Sequence, residues 1–268
     1  MTTQQFSVQD NKNNFKGNKM EKSTQTQPMP FTLSLLFFGI PMLLFLAIQR
    51  VVIPFLDASG VSPLVNFYIL MLPHVLFFFG ALIGYRREGH LWNRSAFSQR
   101  FRLTRLSGKG WAWAIAATIG NIGLYISVYT LGLPILEWLA KLFPDPAVLN
   151  RILGDGTSFV GFPLSGNVWL LGVYFTYYFF NVVGEELWWR GYIFPRQELA
   201  YGSRTWLFHG LFWAGFHLFT PYNALAVLPG ALWVSWITQK QKNTWIFLIA
   251  HATMNGLAMI QIISGILG

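Results

Sequence analysis

The chain has 268 residues, of which 53% are hydrophobic and only 11% are charged, whereas a typical soluble domain has roughly 25% charged residues. This composition excludes an ordinary soluble protein and predicts a multi-pass protein of the cell membrane. The absence of cysteine excludes disulfides, thiolate metal sites and cysteine nucleophiles. The net charge of +9 is explained by basic loops on the cytoplasmic side, so it does not indicate nucleic-acid binding.

The first part of the chain predicts a tail, three spans and a basic loop. Residues 1–30 are polar and predict a disordered cytoplasmic tail. Apolar runs at 31–48, 64–85 and 111–131 predict the first three membrane helices. The loop between the second and third helices contains a single acidic residue, Glu88. Its basic residues are Arg86, Arg87, Arg94, Arg100, Arg102, Arg105 and Lys109. We expect this loop to lie on the anionic inner leaflet of the bilayer.

The second part of the chain completes a helical bundle. The later apolar runs begin near Val168 and cover 206–219, 224–237 and 245–266. With a cytoplasmic N-terminus, alternation places the basic stretches 196–204 and 240–242 on the same side as the arginine-rich loop. The sequence therefore predicts an all-α polytopic transmembrane bundle of about seven spans, with six to eight as the range. Residues 31–268 would form one membrane-embedded domain.

Two adjacent carboxylates stand at the end of the fourth apolar run, where charges are costly. Because Glu186 and Arg190 are four residues apart, they share one face of a helix, whereas Glu185 points about 100° away. Arg190 is therefore predicted to neutralise Glu186, which leaves Glu185 available as a general base. A lone Glu–Arg pair could equally lock two helices together, but the second carboxylate favours chemistry.

Two histidines in later spans extend this group of polar residues. His217 shares a helix face with Trp213, and His251 shares one with Asn255. Either histidine alone is more often a packing residue. Together with the Glu pair, they supply the groups needed to deprotonate water, to stabilise an oxyanion or to bind a divalent metal.

A count of helical rise from the inner interface supports one shared site. It places Glu185, His217 and His251 between about 14 and 20 Å deep if the fourth helix continues past Arg190. His209 lies only about 8 Å deep on the same count and is a poorer ligand. His74 is a further candidate that no motif supports. Because water must reach this depth, we expect a polar cavity that opens to the cytoplasm.

Three motifs now stand in order on three spans: Glu185-Glu186-x-x-x-Arg190, an aromatic residue with His217 four positions later, and His251-x-x-x-Asn255. This set resembles the CPBP family of intramembrane proteases, which comprises the CAAX proteases and the bacteriocin-processing or Abi proteins. The resemblance covers about residues 165–260. Trp213 is a departure, since the family usually has Phe there. That position supplies an aromatic wall, so we expect activity to survive the change.

The resemblance implies hydrolysis of a peptide bond in a membrane-associated protein or peptide, with bacteriocin processing and self-immunity among the family's uses. It assigns three roles: water activation to Glu185 with His217, charge compensation of Glu186 to Arg190, and oxyanion stabilisation to His251 with Asn255. The competing interpretation is a non-enzymatic transporter, or an immunity protein that binds a partner, with the same polar core.

These residues leave open whether a metal ion takes part in the reaction. The family is commonly described as metalloproteases, but the sequence contains no His-Glu-x-x-His helix, the motif that would make zinc the default. A divalent metal such as zinc, with Glu185, His217 and His251 as candidate ligands, is therefore an alternative to a water activated by glutamate alone.

Overall fold

The computed structural model describes residues 26–268, so most of the predicted tail lies outside the described part. The described chain is almost entirely helical, which confirms the all-α bundle. Its α-helices are α1 (Phe31–Ala47), α2 (Ile53–Ala58), α3 (Pro63–Arg87), α4 (Arg94–Arg100), α5 (Gly108–Leu131), α6 (Leu133–Leu142), α7 (Ala147–Leu153), α8 (Trp169–Phe179), α9 (Phe194–Tyr201), α10 (Thr205–Phe216), α11 (Pro221–Gln241) and α12 (Thr244–Leu267). Two short antiparallel strands, β1 (Ser158–Phe159) and β2 (Phe162–Pro163), form a hairpin.

Four helices of the described part are long and apolar enough to cross a membrane. They are Phe31–Ala58, Pro63–Arg87, Gly108–Leu131 and Thr244–Leu267. The first of these joins α1 to α2 through a π-helical turn at Ile48–Val52. These four helices fall on the first three predicted spans and on the last, and the multi-pass membrane architecture is confirmed.

The two short runs of the sequence fold as a helical hairpin of unequal arms. The 12 residues of α10 extend only about 18 Å, less than the hydrocarbon core of about 30 Å. A 3-10 turn at His217–Phe219 ends this arm, and α11 then begins at Pro221. Proline suits the first turn of a helix because its missing N–H needs no partner there. The second arm has 21 residues, so it is longer than its apolar run predicted.

The helix that carries the Glu pair is irregular. It continues from α8 through π-helical turns at Phe180–Gly184 and Leu187–Ile193 into α9. The helix therefore extends past Arg190, as the depth count required. A Cβ atom at Gly184 would lie 2.6 Å from the backbone oxygen of His74. Glycine thus lets this helix approach α3 closely, immediately before the Glu pair. Such π turns occur frequently at functional sites.

Arg100 ties the basic loop into the bundle. Its Nε and Nη2 atoms donate to the carboxylate of Glu88 at 2.6 and 2.9 Å. Its guanidinium also donates to the backbone oxygens of Gly191 at 2.8 Å and Tyr192 at 3.3 Å. Those oxygens belong to the second π turn. The loop was predicted to lie flat on the bilayer, but this arginine is buried and supports the irregular helix.

We predict that Arg100→Ala destabilises the fold, because it leaves the carboxylate of Glu88 and two backbone oxygens without their donor. Breaking one partner of a buried ion pair costs about 3–5 kcal/mol. Thermal unfolding in detergent, followed by tryptophan fluorescence, measures the effect. Arg87→Ala is the matched control, because Arg87 is exposed in the same loop. Equal melting temperatures for the two variants would contradict this role of Arg100.

Candidate active site

Glu185 lies on the wall of an internal cavity, with only 4% of its surface exposed. The side-chain amide of Asn181 donates to Oε1 at 3.1 Å, and the indole N–H of Trp189 donates to Oε2 at 3.2 Å. These two donors stand four residues before and after Glu185 on the same helix. His74 of α3 brings its Nε2 atom to 3.3 Å from Oε1. The carboxylate is therefore held in place by neutral donors and one histidine.

Glu186 is fully buried and does not line the cavity. Its Oε1 atom accepts from Nη1 of Arg190 at 3.1 Å and from Nδ1 of His251 at 2.9 Å. The side chains of Glu186 and Arg190 are both fully buried. The predicted pair of these two residues is thus present in the structure. The contact with His251 also ties the irregular helix to α12.

Two aromatic rings enclose the guanidinium of Arg190. Its central carbon lies 4.5 Å from the ring centroid of Trp213 and 4.1 Å from that of Phe247. A desolvated cation over an aromatic face gains about 2 kcal/mol, and tryptophan provides the best face. Trp213 is therefore more than a wall. It provides a favourable surface for the buried charge.

His217 ends α10 with its ring at the cavity. Its Nδ1 atom donates to the backbone oxygen of Trp213 at 2.8 Å. A neutral imidazole carries one proton, so this bond leaves Nε2 as an acceptor. Both His217 and Glu185 line the same cavity. The acceptor nitrogen is available to a water molecule or substrate there.

His251 and Asn255 are neighbours on α12, as their spacing predicted. The amide nitrogen of Asn255 lies 3.1 Å from Nε2 of His251 and also donates to Oδ1 of Asn181. Because Nδ1 of His251 donates to Glu186, its Nε2 atom accepts from Asn255. A chain of hydrogen bonds thus connects the sealed carboxylate to the cavity wall.

The cavity has a volume of about 410 Å³. The polar side chains near Glu185 that line it are His74, Asn181, His217, His251 and Asn255. The lining also includes Tyr125 of α5, Leu153 of α7 and Asn223 of α11. Within residues 26–268, no residue of the basic loop contributes to it. Part of the lining therefore lies near the end of the bundle that carries α7. The side of the membrane to which the cavity opens stays a prediction.

Residues 167–257 match the family described as type II CAAX prenyl endopeptidase Rce1-like. The match covers 91 of the 268 residues and is consistent with the resemblance to the CPBP membrane proteases. The matched segment includes the Glu pair, both later histidines and Asn255, whereas His74 lies outside it. No curated protein and no solved structure matches the chain.

Among the described residues, the candidate metal ligands do not form a metal-binding group. Within residues 26–268, no three His, Asp or Glu side chains are arranged to hold a metal ion. Glu185, His217 and His251 share the cavity. Donation from Nδ1 leaves Nε2 of each histidine as the atom that could ligate a metal. Nε2 of His251, however, already accepts from Asn255. The donor set therefore does not fit a metal held by these three residues.

Some residues of the site were not identified from the sequence. Asn181 and Trp189 stand four residues on either side of Glu185, so helical spacing could have found both. Gln49, from the π turn after α1, lines the cavity with a buried side-chain oxygen that has no partner among the described residues. Neither Gln49 nor His74 has a sequence relation to the Glu pair.

We predict that the Trp213→Leu variant loses more stability than Trp213→Phe, because leucine offers no aromatic face to Arg190. The cation–π contribution at risk is about 2 kcal/mol, and phenylalanine should keep most of it. Melting temperatures in detergent show the order of stability of the wild type and the two variants. Trp138→Leu serves as the control, because 57% of that side chain is exposed. If Leu and Phe are equally tolerated at 213, the cation–π role is wrong.

Proposed function

We propose that the chain is an intramembrane endopeptidase that hydrolyses a peptide bond with a water molecule activated by Glu185. The Rce1-like domain indicates a protease. The observation that carries the proposed mechanism is a buried carboxylate, held by neutral donors, on the wall of a cavity that is also lined by three histidines. The substrate would be a membrane-associated protein or peptide.

Glu185 would act as the general base. It removes a proton from a water molecule in the cavity while the water oxygen attacks the substrate carbonyl carbon. The acceptor Nε2 atom of His217 would hold the second hydrogen of that water. When the carbon–nitrogen bond breaks, the proton returns from Glu185 to the leaving amine. A positioned base of this kind contributes about 10²–10⁴-fold to the rate.

The hydrogen-bond network of Glu186, Arg190 and His251 would position Asn255 at the cavity. Arg190 and Glu186 fix the tautomer of His251, because its Nδ1 proton is committed to Glu186. His251 in turn holds the amide of Asn255 at the cavity. When substrate binds, an N–H of Asn255 would turn from Asn181 to the developing oxyanion. Such donors stabilise a tetrahedral intermediate strongly in a site that excludes water.

The cavity wall suits an extended, apolar substrate segment. Phe45, Phe67, Leu70, Phe219 and Val227 supply an apolar lining. The unpartnered oxygen of Gln49 would accept a hydrogen bond from a substrate backbone N–H, because a buried acceptor left unsatisfied costs about 1–3 kcal/mol. A prenylated CAAX terminus, which the family description names, is one such substrate. The biological use would be bacteriocin maturation, self-immunity or processing of a membrane-anchored protein.

Glu185→Gln tests the proposal, because glutamine keeps the shape of the side chain but cannot accept the proton. We expect hydrolysis to fall by at least about 10²-fold. Mass spectrometry of membrane peptides, from cells with wild-type or variant protein, should show new chain termini with the wild type and with the control variant, but not with Glu185→Gln. Glu137→Gln is the control, since Glu137 is an exposed glutamate on α6. Identical termini in all three strains would favour the transporter or immunity protein.

Metal removal provides an independent prediction. Nε2 of His251 is occupied by Asn255, so Glu185 and His217 alone do not supply the three protein ligands of a catalytic zinc. We therefore expect hydrolysis by the purified protein to continue in 1,10-phenanthroline at its untreated rate. Elemental analysis should find well below one zinc per chain. Loss of hydrolysis with chelator, and its return with added zinc, would establish a metalloprotease instead.

A further inference from the structure

A groove of basic and aromatic residues lies at the end of the bundle opposite the α7 end of the catalytic cavity. Its first recess, of about 570 Å³, is lined by Trp92, Arg94, Phe97, Leu103, Arg105 and Trp245. A second recess, of about 540 Å³, is lined by Arg105, Leu106, Trp111, Trp245 and Ile249. The two recesses share Arg105 and Trp245, so they form one continuous surface, which we call the basic groove.

The charge of the basic groove is uncompensated. The single acidic residue of the loop, Glu88, is occupied by Arg100 and by His90, whose Nε2 atom lies 3.2 Å away. Arg102 pairs with Glu198 instead. No carboxylate lines either recess. Arg94 and Arg105 are exposed and form no ion pair within residues 26–268, so they present two free cations at the groove.

The position of the groove in the bundle corresponds to the bilayer interface. Trp111 and Trp245 stand in the first turns of α5 and α12, two helices apolar enough to span a membrane. Exposed tryptophans at the ends of spans lie at the level of the lipid headgroups. Ile249 is one helical turn deeper than Trp245. The lining therefore changes from cationic to apolar in the direction of the membrane interior.

We propose that the basic groove binds one anionic phospholipid. The phosphate would lie between Arg94 and Arg105, because guanidinium groups match phosphate oxygens with paired hydrogen bonds. An acyl chain would follow Leu106, Trp111 and Ile249. The class of ligand follows because the cationic recess and the apolar recess are continuous. A free anion would leave the apolar recess uncovered, and a neutral lipid would leave the two arginines unpaired.

The same helix connects the groove to the core. Arg94 begins α4 and Arg100 ends it, and Arg100 donates to backbone oxygens of the π turn that follows the Glu pair. A lipid bound at Arg94 holds α4 against the bundle. Bound lipid should therefore raise the melting temperature, which gives a measurement that is independent of proteolysis.

The test uses the full-length protein in detergent, titrated with phosphatidylglycerol or with phosphatidylcholine of the same acyl chains. Native mass spectrometry should show one retained phosphatidylglycerol on the wild type, and the melting temperature should rise with that lipid alone. In the double variant Arg94→Gln/Arg105→Gln, the concentration for half-maximal stabilisation should increase on the order of tenfold or more. Both side chains are exposed, so the lipid-free melting temperature should stay that of the wild type.

Arg87→Gln/Lys109→Gln is the matched control, because it removes the same charge from the same loop outside the groove. It should retain the lipid and its stabilising effect. If both double variants lose the stabilisation by phosphatidylglycerol equally, the lipid is attracted by the overall positive charge of the loop and not by the groove, and the proposal is overturned. Equal stabilisation by the two lipids would also overturn it, as would a full effect of inorganic phosphate alone.

Discussion

The ion pair of Glu186 and Arg190 is the interaction on which the site depends. Both side chains are fully buried, and a buried charge without a partner is strongly destabilising. Arg190 retains its charge, so it must be neutralised and covered. Trp213 from α10 and Phe247 from α12 cover it, while His251 forms a second contact with the carboxylate of Glu186. One charge pair therefore fixes the relative positions of three helical elements around the cavity.

The two adjacent glutamates have different environments because they are neighbours on a helix. A rotation of about 100° separates consecutive side chains. It directs Glu186 into the sealed network and Glu185 to the cavity wall. Glu186 accepts hydrogen bonds from the guanidinium of Arg190 and from the imidazole of His251, and it is unavailable to substrate. Glu185 is held by Asn181, Trp189 and His74, yet it remains at the space where water and substrate would meet.

The sequence predicted the relations that depend on helical spacing. The pairing of Glu186 with Arg190 and the proximity of His251 to Asn255 both follow from four-residue intervals. Contacts between separate helices were not predictable in this way. His74 reaches Glu185 from α3, and Gln49 enters the cavity from the first helix, but neither residue belongs to a motif. The contributions of α5, α7 and α11 to the cavity lining were likewise not predicted, because they depend on how these helices pack.

The irregular helix explains why a surface loop contains a buried arginine. A π turn shifts the backbone out of the regular hydrogen-bond pattern, and lipid cannot supply donors to oxygens that lose their partners. Arg100 provides several N–H groups in a planar array, so it can satisfy Glu88 and the oxygens of Gly191 and Tyr192 together. A lysine has one charged nitrogen and could not span these acceptors. The arginine therefore makes an irregular backbone tolerable next to the Glu pair.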